Sequence, residues 1–151
     1  MTINIYTDGS YDPAKAKGAY ASLILFGVEK IILKDIIYNS THNRMELLAV
    51  ITALEYVSDN YKNVFTLNVY TDSQYVAGIP RRSQKLSENN FITAKGNTLP
   101  NHDLVQKLIG LCETLPVNFV KVKAHLKKTS EINYNIEVDK LVRSMVRDSE
   151  N

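Results

Sequence analysis

The sequence contains a single cysteine, Cys112, which excludes an intrachain disulfide and fits a reducing compartment. Its setting, Leu108-Ile109-Gly110-Leu111-Cys112, reads as core and not as a reactive thiol. No apolar run approaches the roughly 18 residues of a membrane span. No basic segment precedes the strand-like start Met1-Thr2-Ile3-Asn4-Ile5. A soluble, cytoplasmic protein with no membrane partner is therefore expected. Net charge is scarce as well: at +2 it is only a weak argument for a nucleic-acid partner, so that case rests on where the cations fall. Internal repeats, low-complexity tracts and interdomain linkers are missing. A length of 151 residues fits one domain with its own core, and a monomer without an obligate protein partner is the expectation.

The hydrophobic pattern that is present alternates between two periods. It predicts strands over Ile3–Thr7, Ala19–Phe26 and Lys30–Tyr38, hinged near Gly27 and forming an antiparallel meander. Met45, Leu48, Ala49, Thr52, Ala53 and Tyr56 then recur at helical spacing, the mark of a long buried helix face. Val64–Thr71 and Val117–Val122 supply two more strands. Further helices are expected over Ser73–Gly78, after Asn101, and from about Asn135, where Val138, Leu141, Val142, Met145 and Val146 face inward. The reading is an α/β protein with a five-stranded mixed sheet, meander plus parallel strands, flanked by helices. Pro80–Pro100 is the least regular stretch and sets Arg81, Arg82, Lys85 and Lys95 against one acid, Glu88. Lys121, Lys123, His125, Lys127 and Lys128 form a second basic segment.

Two strands end alike. Ile3 to Ser10 and Val69 to Val76 each run from apolar alternation into Thr-Asp and a small residue. Strand ends in open α/β sheets are where ligands gather. If the two strands are neighbours, Asp8 and Asp72 stand side by side and repel unless a cation lies between them, which points to a divalent-metal site. Local readings stay open for each candidate acid. Asp8-Gly9 can be a tight turn, Glu46 can close a capping box with Asn43, Asp72 can be an N-cap, and Asp139 can pair with Arg143 at i+4.

Taken together, TDGS (Thr7 to Ser10), NRMEL (Asn43 to Leu47), TDSQYV (Thr71 to Val76), VKAH (Val122 to His125) and NIEVDKL (Asn135 to Leu141) resemble ribonuclease H of type 1. They also resemble the ribonuclease H domain of reverse transcriptases. The resemblance spans nearly the whole chain and implies a ribonuclease H-like fold. It implies an endonuclease that hydrolyses the RNA strand of RNA/DNA hybrids with two Mg2+ ions, Mn2+ being a possible substitute, leaving 3′-hydroxyl and 5′-phosphate ends. Asp8, Glu46, Asp72 and Asp139 match the metal-binding carboxylates, and His125 matches a loop histidine that assists catalysis. Asn43 and Gln74 match minor-groove contacts, with His42 standing where a relative often carries Asn. Thr41 and Asn101 match positions that hold a phosphate of the DNA strand, and Arg81, Arg82 and Lys85 fall in the basic handle. Three departures accompany the match: a loop after Asp8 without the glycine-rich turn, a handle without tryptophan, and a longer stretch between His125 and Asp139. The alternatives are a hybrid-binding module without catalysis and a DNA-directed nuclease of the same superfamily.

Overall fold

The computed structural model describes residues 1–123 and 133–148. Strands β1 (Thr2–Asp12), β2 (Lys17–Phe26) and β3 (Glu29–Tyr38) form the expected meander, followed by helix α1 (His42–Asn60) and strand β4 (Thr66–Thr71). Helices α2 (Gln74–Glu88) and α3 (His102–Thr114), strand β5 (Val117–Lys121) and helix α4 (Tyr134–Arg147) complete the chain. The sheet order is β3-β2-β1-β4-β5. The meander is antiparallel, β1 pairs in parallel with β4, and β4 pairs in parallel with β5.

The period of two along β1 assigns its faces. Ile3 and Ile5 are fully buried and, with Leu67 and Val69, meet Leu47, Val50 and Leu54 of α1 and Leu108 of α3. The even positions Asn4, Tyr6, Asp8 and Ser10 therefore point to the opposite face. There α4 packs Val142 and Val146 against Ala19 and Ala21 of β2, whose small side chains let the helix lie close. Among the described residues no helix is long and apolar enough to cross a membrane.

Two elements differ from the sequence expectation. Strand β1 does not stop at Thr7. It continues to Asp12, because the hairpin with β2 stays in register from Asn4↔Leu25 to Asp12↔Lys17. Asp8-Gly9 is thus mid-strand and not a turn. Helix α2 runs through Pro80 to Glu88, into the stretch read as irregular. A proline there gives up the bond its N–H would make to the Val76 carbonyl, yet Val76 and Ile79 remain buried as anchors. Beyond Pro80 the helix turns Arg81, Arg82 and Lys85 to solvent. Cys112 is half-buried at the edge of the core, and burial pushes its thiol up to about 11, which leaves it protonated and unreactive.

Candidate metal centre

Asp8 and Asp72 come together through the sheet register. Parallel pairing of β1 with β4 ends at Tyr6↔Tyr70, so the residues two positions on, Asp8 and Asp72, emerge on the same side of adjacent strands. Glu46 reaches them from α1. This is possible because Gly9 has no side chain: a Cβ there would sit 2.6 Å from the Met45 carbonyl carbon and 2.7 Å from the Glu46 nitrogen. Carboxylate oxygens of Asp8, Glu46 and Asp72 lie within 4.8 Å of one another. Asp139 of α4 lines the same cavity beside Asp8 and Asp72 and makes the expected i+4 ion pair with Arg143 at 3.0 Å. That pair therefore coexists with a place in the site.

The electrostatics are strained. The Gly9 N–H donates to Asp8 Oδ1 at 2.9 Å and to Glu46 Oε1 at 3.2 Å, while Glu46 Oε2 is buried without a partner. Burial, reinforced by Asp72, pushes the Asp8 carboxyl up to about 8, against the lowering effect of hydrogen bonds from Glu46 and Gly9. Burial and then Asp8 and Asp72 hold Glu46 well above the ordinary carboxylate range. A buried acidic cluster with an orphaned oxygen is destabilised by its own charge. It fits a hard divalent cation, which takes oxygen ligands and favours the ionised forms.

The local alternatives for two of these acids are overturned. Thr41, not Asn43, is the N-cap of α1, accepting from the Arg44 N–H at 3.2 Å, and Glu46 points toward Asp8 and Gly9 instead of back at Asn43. Ser73, not Asp72, caps α2, accepting from the Val76 N–H at 3.1 Å. Asp72 is left with its carboxylate in the cluster.

The remaining candidates lie around this centre. His42 stands on the cavity rim with Ser73 and Arg143, its Nε2 3.5 Å from Glu46 Oε1. Asn43 is exposed beside it in the first turn of α1. Gln74, Arg81 and Arg82 line a separate open groove of about 540 Å3 along α2 together with Tyr75 and Gly78. The Arg82 guanidinium lies 5.8 Å from the centre of the Tyr75 ring, and Lys85 is exposed further along the helix. Arg44 was not among the candidates. Its side chain donates to Asn101 Oδ1 at 3.3 Å and grips Asp103 with two bonds of 3.0 and 3.1 Å, tying the start of α1 to the start of α3. Asn101 sits in the left-handed region at φ 61° with no capping bond from its side chain. Arg44 belongs to the NRMEL block, but nothing in its spacing shows a partner more than fifty residues away. His125 lies outside the described residues.

A family model described as RNase H matches residues 1–147. The chain belongs to the ribonuclease H family. Among the similar proteins named Ribonuclease H, that of Caldicellulosiruptor saccharolyticus is 32% identical over 146 residues and covers 95% of each chain. That of Chlorobium phaeobacteroides is 32% identical over 149 residues and covers 97% of each. A solved structure of the foamy viral protease-reverse transcriptase in complex with dsDNA superimposes with a TM-score of 0.72 at 16% identity, covering 97% of this chain and 93% of that one. That likeness establishes the fold. Within a ribonuclease H, a hydrolase, the convergence of Asp8, Glu46 and Asp72 from three elements is the feature with evident chemistry.

Proposed function

We propose that this ribonuclease H hydrolyses the RNA strand of RNA/DNA hybrids at the Asp8–Glu46–Asp72 cluster, with Asp139 as a fourth metal-binding acid and His125 assisting. The observation that carries the reading is the buried, self-repelling carboxylate set with its orphaned oxygen. Two Mg2+ ions, replaceable by Mn2+, are the proposed cofactors. When bound, such ions supply an acidified attacking water and charge neutralisation at the leaving 3′-oxygen, so that the products carry 3′-hydroxyl and 5′-phosphate ends. Glu46 and Asp8 are held by the Gly9 N–H, which fixes their oxygens before any ligand arrives. His42 on the rim, Asn43 beside it and Gln74 in the groove along α2 face the minor groove, where the 2′-hydroxyls distinguish RNA from DNA. Thr41 and Asn101 hold a phosphate of the DNA strand, and Arg81, Arg82 and Lys85 follow its backbone.

The test is a gel assay on a hybrid labelled in its RNA strand, beside duplex DNA, duplex RNA and branched DNA. Cleavage of the RNA in the hybrid alone, abolished by chelator and by Asp72→Asn, is the expected pattern. A protein that binds the hybrid intact in both Mg2+ and Mn2+, or that cuts DNA alone, sinks the reading.

Arg44 offers a second test. The guanidinium hydrogen bonds hold the Asp103 carboxyl down at about 2. Arg44→Met is expected to return that midpoint toward the free value of about 3.9, read by NMR titration. Because a depressed carboxyl stabilises only while ionised, the stability it lends is present above about pH 4 and lost as pH falls through 2. The same variant should raise KM for the hybrid with kcat little changed, since Asn101 loses its anchor. An unchanged KM means that the Arg44 clamp does not position the phosphate site.

A further inference from the structure

Asp139 is carried by α4, so its place in the metal centre depends on where that helix lies along the sheet. The packing beneath the helix does little to fix this. Val142 and Val146 rest on Ala19 and Ala21 of β2, and a strand lined with methyl groups offers no deep notch, so a small slide along the helix axis costs little contact energy. At its first turns the helix is held by the Tyr134 ring, 5.2 Å from that of Tyr6, and by the Lys30–Glu137 ion pair, whose side chains are 43% and 40% exposed. An ion pair so open to water is a weak restraint.

The other end is held by directional bonds. Lys15 donates to the carbonyls of Val146 and Arg147 at 3.4 and 3.0 Å, and Lys17 to that of Asp148 at 2.7 Å. Carbonyls at a helix C-terminus lack partners within the helix, and the aligned backbone dipoles favour a cation there. Lys17 is buried, at 6% exposure. A slide of α4 would leave its ammonium without its carbonyl and away from water, which is costly. The hairpin tip that presents the two lysines is itself restrained. Ala16 lies between them at φ 48°, a left-handed backbone that alanine keeps only where its surroundings impose it. Its N–H donates to the Pro13 carbonyl at 3.2 Å, and its carbonyl accepts from the Asn39 N–H at 2.9 Å.

The lengths of the two elements agree. Ala21 of β2 stands opposite Asp8, and from Lys17 to Ala21 the strand rises about 13 Å. From Asp139 to Asp148 the helix rises about 13 Å as well. Anchoring Asp148 at Lys17 therefore brings Asp139 level with Asp8, in the cavity that both residues line.

We propose that Lys15 and Lys17 are positioning residues for the metal centre: by capping the end of α4 they set how far along the sheet Asp139 stands from Asp8 and Asp72. The inference rests on the reading of Asp139 as a fourth metal-binding acid, and it concerns two residues that touch none of the carboxylates in the cluster.

Mn2+ binding to the metal-free protein, followed by calorimetric titration, tests it in a double-mutant cycle. Lys17→Met should weaken Mn2+ binding roughly tenfold, the size of effect that groups orienting a metal ligand have. Lys15→Met, at an exposed position, should act in the same direction and carries the test if Lys17→Met does not fold. Lys17→Arg, which keeps a donor at the carbonyl, should recover most of the affinity. On an Asp139→Asn background neither lysine variant should weaken binding further, because the acid through which they act is gone. Val57→Ala, a cavity in the core on the other face of the sheet, should lower Tm and leave Mn2+ affinity alone. Unchanged affinity in the lysine variants, or an equal loss with and without Asp139, overturns the proposal. If Asp139→Asn itself leaves Mn2+ affinity unchanged, the four-acid reading fails and the proposal falls with it, an outcome distinct from failure of the lysine variants alone.

Discussion

Asp8→Asn is expected to make the metal-free protein more stable while abolishing hybrid cleavage. Burial and the neighbouring Asp72 raise the Asp8 carboxyl to about 8, and Glu46 is raised by burial and by its acidic neighbours. In the unfolded chain these groups titrate near 3.9 and 4.3. Between those values and the folded ones the native state binds more protons than the unfolded state, so stability falls as pH rises. The contribution of Asp8 is full below about pH 4 and is lost as pH climbs through 8, and Glu46 acts in the same direction. At pH 8, where Asp8 is about half ionised, the asparagine removes that half charge from a repelling pair, worth on the order of 2 kcal/mol at an effective dielectric near 20. For a chain of this size that is a rise of roughly 6 °C in Tm.

Metal reverses the sign for the unmodified protein. Ionised carboxylates are the ligands, so bound metal should stabilise increasingly with pH, by about 2.7 kcal/mol at a hundredfold excess over Kd. Thermal melts at pH 5 and pH 8, with chelator and with Mg2+, give the full comparison. A lower metal-free Tm for Asp8→Asn at pH 8, or cleavage near the unmodified rate, would remove Asp8 from the strained cluster.

Gly9→Ala is expected to cost both stability and activity. The new methyl group would meet backbone atoms, the Met45 carbonyl carbon at 2.6 Å and the Glu46 nitrogen at 2.7 Å. No side chain can turn aside, so α1 must retreat from β1 by most of an ångström. Overpacking of this kind costs about 3 kcal/mol. Because the displaced turn carries Glu46, its carboxylate moves away from Asp8, and a misplacement near 1 Å is worth about a hundredfold in rate. Gly18→Ala is the comparison. Its close neighbours are the Met45 sulfur and the Tyr11 ring, both 2.8 Å away, and these are side-chain atoms, not backbone. Urea melts and initial rates for the two variants should rank Gly9→Ala well below Gly18→Ala, and equal effects would show that α1 does not depend on the missing side chain.

The long buried face of α1, the meander and the strand-to-acid steps at Asp8 and Asp72 are legible in the residue order alone, since each follows from a short-range period in the chain. The expected juxtaposition of Asp8 and Asp72 needed only one further fact, that their strands are neighbours, and the register from Thr2↔Thr66 to Tyr6↔Tyr70 supplies it. Glu46 was legible through its motif and not through its surroundings. Its local context offered a helix cap, and the real cap is Thr41. Helix α2 ran further than expected because Pro80 weighs heavily in a local reading, whereas Val76 and Ile79 hold the helix to the core despite one missing bond.

Residue order carries the inventory: which segments become strands and helices, which acids follow strands, and which family the ordered motifs match. Those features are written in spacings of two to eleven residues. It took the folded backbone to show that Gly9 admits α1 close enough to bring Glu46 beside Asp8, that Arg44 clamps Asn101 and Asp103, and that Arg143 of α4 lines the carboxylate cavity. These depend on how closely two backbones approach and on which charged groups share a solvent-poor space. Such distances join residues 37 to 59 positions apart in the chain, and no local period encodes them.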